Sequence, residues 1–249
     1  ITVSPKNKRF ASYKKDLIIG KSDPQSDNFD TLYFVSREIE QLEIPSFIKK
    51  INSYAISECD SLSYVKIPEN SELEIIGSYA FMKSNIEKIF IPKHVKIISE
   101  GAFDRCFNLT KIKFDEYSEL QTIEHGAFFY TNINHLYIPA SLKELKSDWC
   151  AQLNNIEKIT ISPENKYFSL FEGEMIVGKS NLNDNIYDIL YYVLRDVESV
   201  VIPPFIKKID DYALKNCSLK TIKFSEDSAV KTIYGYSHWK IIIFRIIYQ

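Results

Sequence analysis

Glycine is scarce in this chain, with seven in 249 residues, and none of the glycine-rich fingerprints that cradle phosphate is present. A charge surplus is also missing. There are 31 basic and 33 acidic side chains, a net charge of −2, which excludes the large basic excess that a nucleic-acid binder uses to neutralise phosphates, though not a local basic patch. No apolar stretch approaches the roughly 20 residues that a membrane-spanning helix needs. The nearest, Trp239 to Tyr248, is short and carries Lys240 and Arg245. Cysteine is limited to four residues without a Cys-x-x-Cys pair, and His94, His125, His135 and His238 are dispersed, so neither a metal site nor a cofactor is expected. There is no initiator Met and no signal peptide. The chain starts in the middle of a repeating pattern, so it is expected to be a piece of a longer array, and the missing signal says nothing about compartment.

What is present is a globular composition, 45% apolar and 26% charged with 16 Phe and 16 Tyr, arranged periodically. One apolar position recurs at Ile44, Ile67, Ile91, Phe114, Ile138 and Ile161, a spacing of about 23 residues. Proline follows it at Pro45, Pro68, Pro92 and Pro139, and Ile202-Pro203 and Phe224 continue the phase after a longer interval. Each site closes a pattern of the form Ile86-x-x-Ile89-x-Ile91. Its last two apolar residues share one face of a strand, and the proline, having no N–H to donate, ends the ladder.

Downstream lies a second signature, Gly77-Ser78-Tyr79-Ala80-Phe81, Gly101-Ala102-Phe103 and Gly126-Ala127-Phe128. It reads as a short helical or 3-10 turn whose Ala permits close approach and whose Phe fills the core. One repeat is then strand, turn, short helix and return. No such unit buries its own apolar face, so neighbours are obligatory.

Repetition extends to longer periods. Ser71-Glu72-Leu73 recurs as Ser118-Glu119-Leu120, so repeats alternate in pairs, and residues 1–51 align without gaps with 159–209, identical at 24 of 51 positions. Each copy holds an island that breaks the period, about 1–38 and 162–197. Leu17-Ile18-Ile19-Gly20 with Leu32-Tyr33-Phe34-Val35, and Met175-Ile176-Val177-Gly178 with Leu190-Tyr191-Tyr192-Val193, read as inserted β-hairpins.

The phrase Ile91-Pro92-x-x-Val95-x-x-Ile98-x-x-Gly101-Ala102-Phe103-x-x-Cys106, with its counterparts in register over nearly the whole chain, resembles the BspA-like leucine-rich repeat. The fold class is accordingly an α/β solenoid, one leucine-rich-repeat domain spanning 1–249 with hairpin islands and a repeat of about 23 residues. The resemblance implies a cell-surface or secreted protein of a mucosal bacterium or parasitic protist, acting in attachment to host cells or extracellular matrix and as a surface antigen. Two places depart from the pattern. Trp149-Cys150 stands where Ala-Phe is expected, predicting an irregular turn, and 236–249 reads as an irregular or degenerate end.

In this fold class the strands line a concave face, and the residues between the inward apolar positions form ladders across it. One ladder runs Glu43, Lys66, Phe90, Lys113, Tyr137, Thr160, Val201, Lys223; its neighbour runs Gln41, Tyr64, Lys88, Lys111, His135, Lys158, Ser199, Thr221. Lys66, Lys88, Phe90, Lys111, Lys113, His135 and Tyr137 thus form a basic, aromatic-studded candidate binding strip, suited to an acidic protein segment or an anionic glycan of a host surface. The same residues also read as ordinary solvent-facing strand positions. Cys59, Cys106 and Cys217 share one repeat phase and read as small buried apolar groups. Cys59 and Cys106 lie two turns apart, roughly 10 Å at the usual strand spacing and too far for a disulfide. Asn108-Leu109-Thr110 and Asn216-Cys217-Ser218 match the N-glycosylation pattern.

No nucleophile elbow or singled-out carboxylate pair is visible, so a non-enzymatic binding protein is expected. A spacer or coat component and an intracellular interaction scaffold are the alternatives.

Overall fold

The computed structural model describes residues 2–150, 152–181, 183–233 and 247–248. The recurring apolar positions lie side by side in parallel strands. Lys88–Ile91 pairs in register with Lys111–Phe114, placing Ile91 opposite Phe114, and His135–Ile138 pairs with Lys158–Ile161, placing Ile138 opposite Ile161. Ile44, Ile67, Ile91, Phe114 and Ile138 are all buried. These longer strands make a four-stranded sheet, flanked by the pair Gln41–Glu43 and Tyr64–Lys66 and by a three-stranded sheet containing Ser199–Ile202 and Thr221–Phe224. After each proline the chain turns through a bond such as Val95 N–H to Pro92 O, 3.2 Å. It then enters a two-residue strand, as at Lys50–Ile51, Ile75–Ile76, Ile97–Ile98, Thr122–Ile123 and Glu144–Leu145, which stack into a second parallel sheet.

The third side corrects the expected α/β class, because no helix occurs among the described residues and the molecule is a β-solenoid. The reason lies in the backbone N–H groups, which alternate in direction. Those of Tyr79, Phe81 and Lys83 donate to Glu100, Ala102 and Asp104 of the next coil, each at 2.8 Å, while those of Ala80, Met82 and Ser84 bond within their own turn to Gly77, Tyr79 and Phe81. A helix would keep every N–H inside its own segment and leave neighbouring coils unjoined. The alternation requires left-handed residues four apart. The first of each pair is Tyr54, Tyr79, Gly101, Gly126, Asp148 or Tyr212. The second is Glu58, Lys83, Arg105, Tyr130, Gln152 or Asn216, with φ between 54° and 65°. A left-handed L-residue costs roughly 1–2 kcal/mol, which the inter-coil bonds offset.

Inside this side Ala80, Ala102 and Ala127 are buried, and Phe81, Phe103 and Phe128 stack at centroid distances of 5.1 and 5.7 Å. The next coil, where an irregular turn is expected, keeps part of the pattern. Asp148 and Gln152 keep the left-handed pair, and Phe128 N–H donates to Trp149 O as Phe103 N–H does to Ala127 O. Trp149 and Cys150 exchange bulk between the Ala and Phe positions, and both are buried.

Each island is a three-stranded antiparallel meander: Phe10–Tyr13, Leu17–Gly20 and Thr31–Val35 in the first, Phe168–Phe171, Met175–Gly178 and Ile189–Val193 in the second. Both carry a register shift at the same place, Ile18/Ile19 and Ile176/Val177. Gly20 and Gly178 are needed by close approach, since a Cβ on either would lie 2.6 Å from the ring of Tyr33 or Tyr191. The first strand of each meander had no signal in the apolar runs read from sequence. The expected irregular end at 236–249 lies outside the described residues, apart from Ile247–Tyr248, which pair with Lys223 and Phe224.

Phe103 is the middle ring of its stack, so Phe103→Ala is expected to lower folding stability by about 3–5 kcal/mol in urea titration. Tyr117→Ala, at a ring 70% exposed, should leave the transition unmoved.

Candidate interaction surface

The long strands present their inward residues to the core and their alternate residues to solvent, in the pattern exposed–buried–exposed–buried at Lys111–Phe114 and His135–Ile138. Lys88, Lys111, His135 and Lys158 stand directly opposite one another across four strands, and Phe90 stands opposite Lys113. Tyr137 is 37% exposed and its backbone pairs with Thr160, while the His135 ring lies 3.0 Å from the Thr160 hydroxyl. Six of the seven strip residues thus share one sheet. Lys66 does not. It belongs to the adjoining two-stranded sheet and donates to Glu43 at 2.8 Å. That hydrogen bond, with the Glu43 charge, holds the Lys66 pKa above its ordinary value.

Several other lysines are paired in the same way as Lys66. Glu58 meets Lys83 at 3.2 Å, Glu74 meets Lys96 at 2.8 Å, Glu198 meets Lys220 at 2.7 Å and Asp188 meets Lys207 at 3.2 Å, each pair bridging neighbouring coils. The rest of the strip lacks such pairs. Among the described residues no carboxylate lies within 4 Å of Lys88, Lys111, Lys113 or Lys158, and lysine faces lysine at Lys88 and Lys111. Like charges directly opposite on neighbouring strands destabilise a sheet.

The BspA type leucine-rich repeat region matches residues 28–157 and 164–244, in six copies. The chain belongs to this family. None of the curated proteins matches it. Among solved structures, the pneumococcal vaccine antigen PcpA is 24% identical with a TM-score of 0.69, covering 80% of this chain and 47% of its own. The chain therefore spans about half the length of that relative. A leucine-rich cell surface protein of Faecalibacterium prausnitzii is 17% identical with a TM-score of 0.59, covering 90% of this chain and 76% of that one. A leucine-rich repeat protein of Bacteroides ovatus is 17% identical with a TM-score of 0.50, covering 94% and 68%. At these identities the likeness is one of fold.

The thiols of this BspA-type chain are held away from reaction. Burial pushes Cys106 up to about 12, and pushes Cys150 up to about 12 against the opposing pull of Arg195. Arg195 is itself buried and donates to Ala213 O at 2.9 Å, to Cys217 Sγ at 3.3 Å and to Tyr212 O at 3.3 Å, with its guanidinium 4.2 Å from the Tyr192 ring. Arg37 makes the matching contacts to Ala55 O, Cys59 Sγ and Tyr54 O in the first island. Both arginines satisfy the carbonyls at a turn where the island rejoins the coil.

Asn108 and Asn216 are exposed. The Asn108 amide donates to Asn85 Oδ1, and that of Asn216 donates to Asn154 Oδ1 at 3.3 Å. Three surface residues had no sequence signal. Phe107 is 57% exposed with its ring 6.4 Å from that of Tyr130, and the Arg105 guanidinium lies 5.9 Å over Tyr130. Arg105 and Phe107 precede the strand Lys111–Phe114, and Tyr130 precedes the strand His135–Ile138. Among the described residues no helix is long and apolar enough to cross a membrane, and no three His, Cys, Asp or Glu side chains gather as metal ligands do.

Because Lys111 is flanked by Lys88 and His135, Lys111→Glu should stabilise the fold by about 0.2–1 kcal/mol. A shifted urea midpoint at unchanged slope is the check, and a loss of stability would show that the lysines are not in repulsion.

Proposed function

We propose that the chain is a non-enzymatic surface recognition module that adheres to a host cell or extracellular-matrix component through its long-strand face, with an acidic segment of a partner protein as the preferred ligand. The observation that carries this reading is the row Lys88, Lys111 and Lys158 with Lys113 beside it, in which Lys88 faces Lys111 directly and no carboxylate lies within 4 Å of these lysines among the described residues. A like-charge row lowers stability and is relieved when an anionic partner docks. Phe90 and Tyr137 lie within the row and supply rigid contact area of the kind that anchors interfaces. An open sheet face with repeated charge suits an extended macromolecule better than a small molecule, which takes an enclosing pocket.

Surface location is supported by the relatives, since PcpA is a vaccine antigen and the Faecalibacterium prausnitzii protein is described as a cell surface protein. Asn108 and Asn216 are the positions that would carry N-linked glycans in a eukaryotic secretory pathway. Asn108 lies shortly before Lys111, so a glycan there would border the binding face.

The test is a solid-phase binding screen of the purified chain against extracellular-matrix proteins and host cells, repeated with Lys88, Lys111 and Lys113 all changed to Glu. The triple variant is expected to keep its fold by circular dichroism and to lose about tenfold or more in affinity. Undiminished binding by the variant would remove the strip from the mechanism.

A further inference from the structure

The basic face ends at a strand with an open edge. Lys158–Ile161 pairs with His135–Ile138, and among the described residues with no other strand. Its inward bonds are Lys158 N–H to Asn134 O at 3.2 Å and Ser162 N–H to Ile138 O at 2.9 Å. Alternation along a parallel ladder turns the N–H and C=O groups of Ile159 and Ile161 the other way, out of the sheet. No described residue bonds to them. The next long strand, Ser199–Ile202, heads a separate sheet, because the second island is inserted between the two.

This edge opens into a cleft of about 420 Å³ whose opposite wall is Phe168, Ser169, Leu170 and Tyr187 of the island. Beside it, a second cleft of about 670 Å³ is lined by Lys166, Lys179, Glu164 and again Tyr187. Lys179 lies 5.0 Å over the Tyr187 ring, and among the described residues neither it nor Lys166 nor Lys158 has a carboxylate within 4 Å. The cleft therefore joins a backbone edge, apolar side walls and a run of unpaired cations continuous with Lys111 and Lys88.

The first island provides an internal comparison. There Val3 holds the place of Ile161, and its N–H donates to the Ser12 hydroxyl at 2.7 Å. The residue corresponding to Ser12 in the second copy is Leu170, which has no hydroxyl to offer. The N–H capped at Val3 in one copy has no matching cap at Ile161 in the other.

We propose that the strand Lys158–Ile161 accepts an extended, acidic peptide of a partner protein as an added β-strand, with main-chain bonds to Ile159 and Ile161 and its carboxylates on the lysines at either side. This mode of recognition uses an exposed sheet edge for affinity and adjacent pockets for alternate side chains. Such an edge takes a polypeptide and not a glycan, because only a polypeptide carries N–H and C=O groups at strand spacing. The proposal rests on the reading of the lysine face as a docking surface and extends it to the form of the ligand.

The experiment uses the full chain and an end-capped peptide of alternating Glu and Val, about eight residues long, followed by amide hydrogen exchange. Binding is expected to slow exchange at Ile159 and Ile161. Leu170→Ser, which restores the hydroxyl cap of the first copy, should weaken the peptide about fivefold relative to Leu170→Ala, the loss expected from one competed backbone hydrogen bond. Equal affinity of those two variants, unchanged exchange at Ile159 and Ile161 with peptide bound, or the same protection by a heparin oligosaccharide would each overturn the proposal. The triple Lys88, Lys111 and Lys113 charge reversal separates the two readings. If it abolishes partner binding while the peptide leaves the Ile159 and Ile161 amides untouched, the lysine face stands and the strand-addition mode does not.

Discussion

Every coil of this molecule depends on the backbone of the next. On the two strand-bearing sides that dependence is an ordinary parallel ladder, while on the third it is the alternation by which Tyr79, Phe81 and Lys83 bond across to Glu100, Ala102 and Asp104. A coil taken alone would leave these donors in water and its apolar interior uncovered, which is why stability in such arrays resides in the interfaces between units. The stacked Phe81, Phe103 and Phe128 and the small Ala80, Ala102 and Ala127 are the side-chain expression of the same requirement. Equal coil heights demand that like sit upon like.

That requirement made most of the fold legible. An apolar position recurring once per coil, with proline after it, marks the end of a strand, and the positions between follow by the alternation of strand side chains. The facing of Lys88 with Lys111 and of His135 with Lys158 was readable for that reason. The third side was not. Gly-Ala-Phe with bonds that reach back within the turn is common to a 3-10 turn and to the observed arrangement, and the left-handed residues that distinguish them include Tyr54, Tyr79 and Tyr212, whose identity does not announce a positive φ. The separation of Lys66 from the other six strip residues was hidden for a different reason. A ladder read from spacing has no breaks, whereas the chain divides its long strands into separate sheets and places Lys66 outside the one that holds the other six.

The islands show the same physics under tighter constraint. Two segments far apart in the chain share a bulge, a glycine beneath a tyrosine ring, an aspartate bonded to a serine and an arginine that plugs turn carbonyls beside a cysteine. Asp30 and Asp188 each accept from both the N–H and the hydroxyl of Ser22 or Ser180. Partial burial alone would raise their pKa values, but these donors, joined at Asp188 by Lys207, hold both below the usual carboxylate range. Polar networks of this completeness fix one arrangement, and the few changes between the copies, such as Ser12 against Leu170, stand out against it.

The second left-handed residue of each turn is Glu58, Lys83, Arg105, Tyr130, Gln152 or Asn216, six residue types at one backbone geometry. Since the main chain there is governed by neighbouring coils and not by the side chain, that ridge is chemically interchangeable. A lineage can rewrite its charge, size and aromaticity along the whole length of the array while the scaffold beneath folds as before.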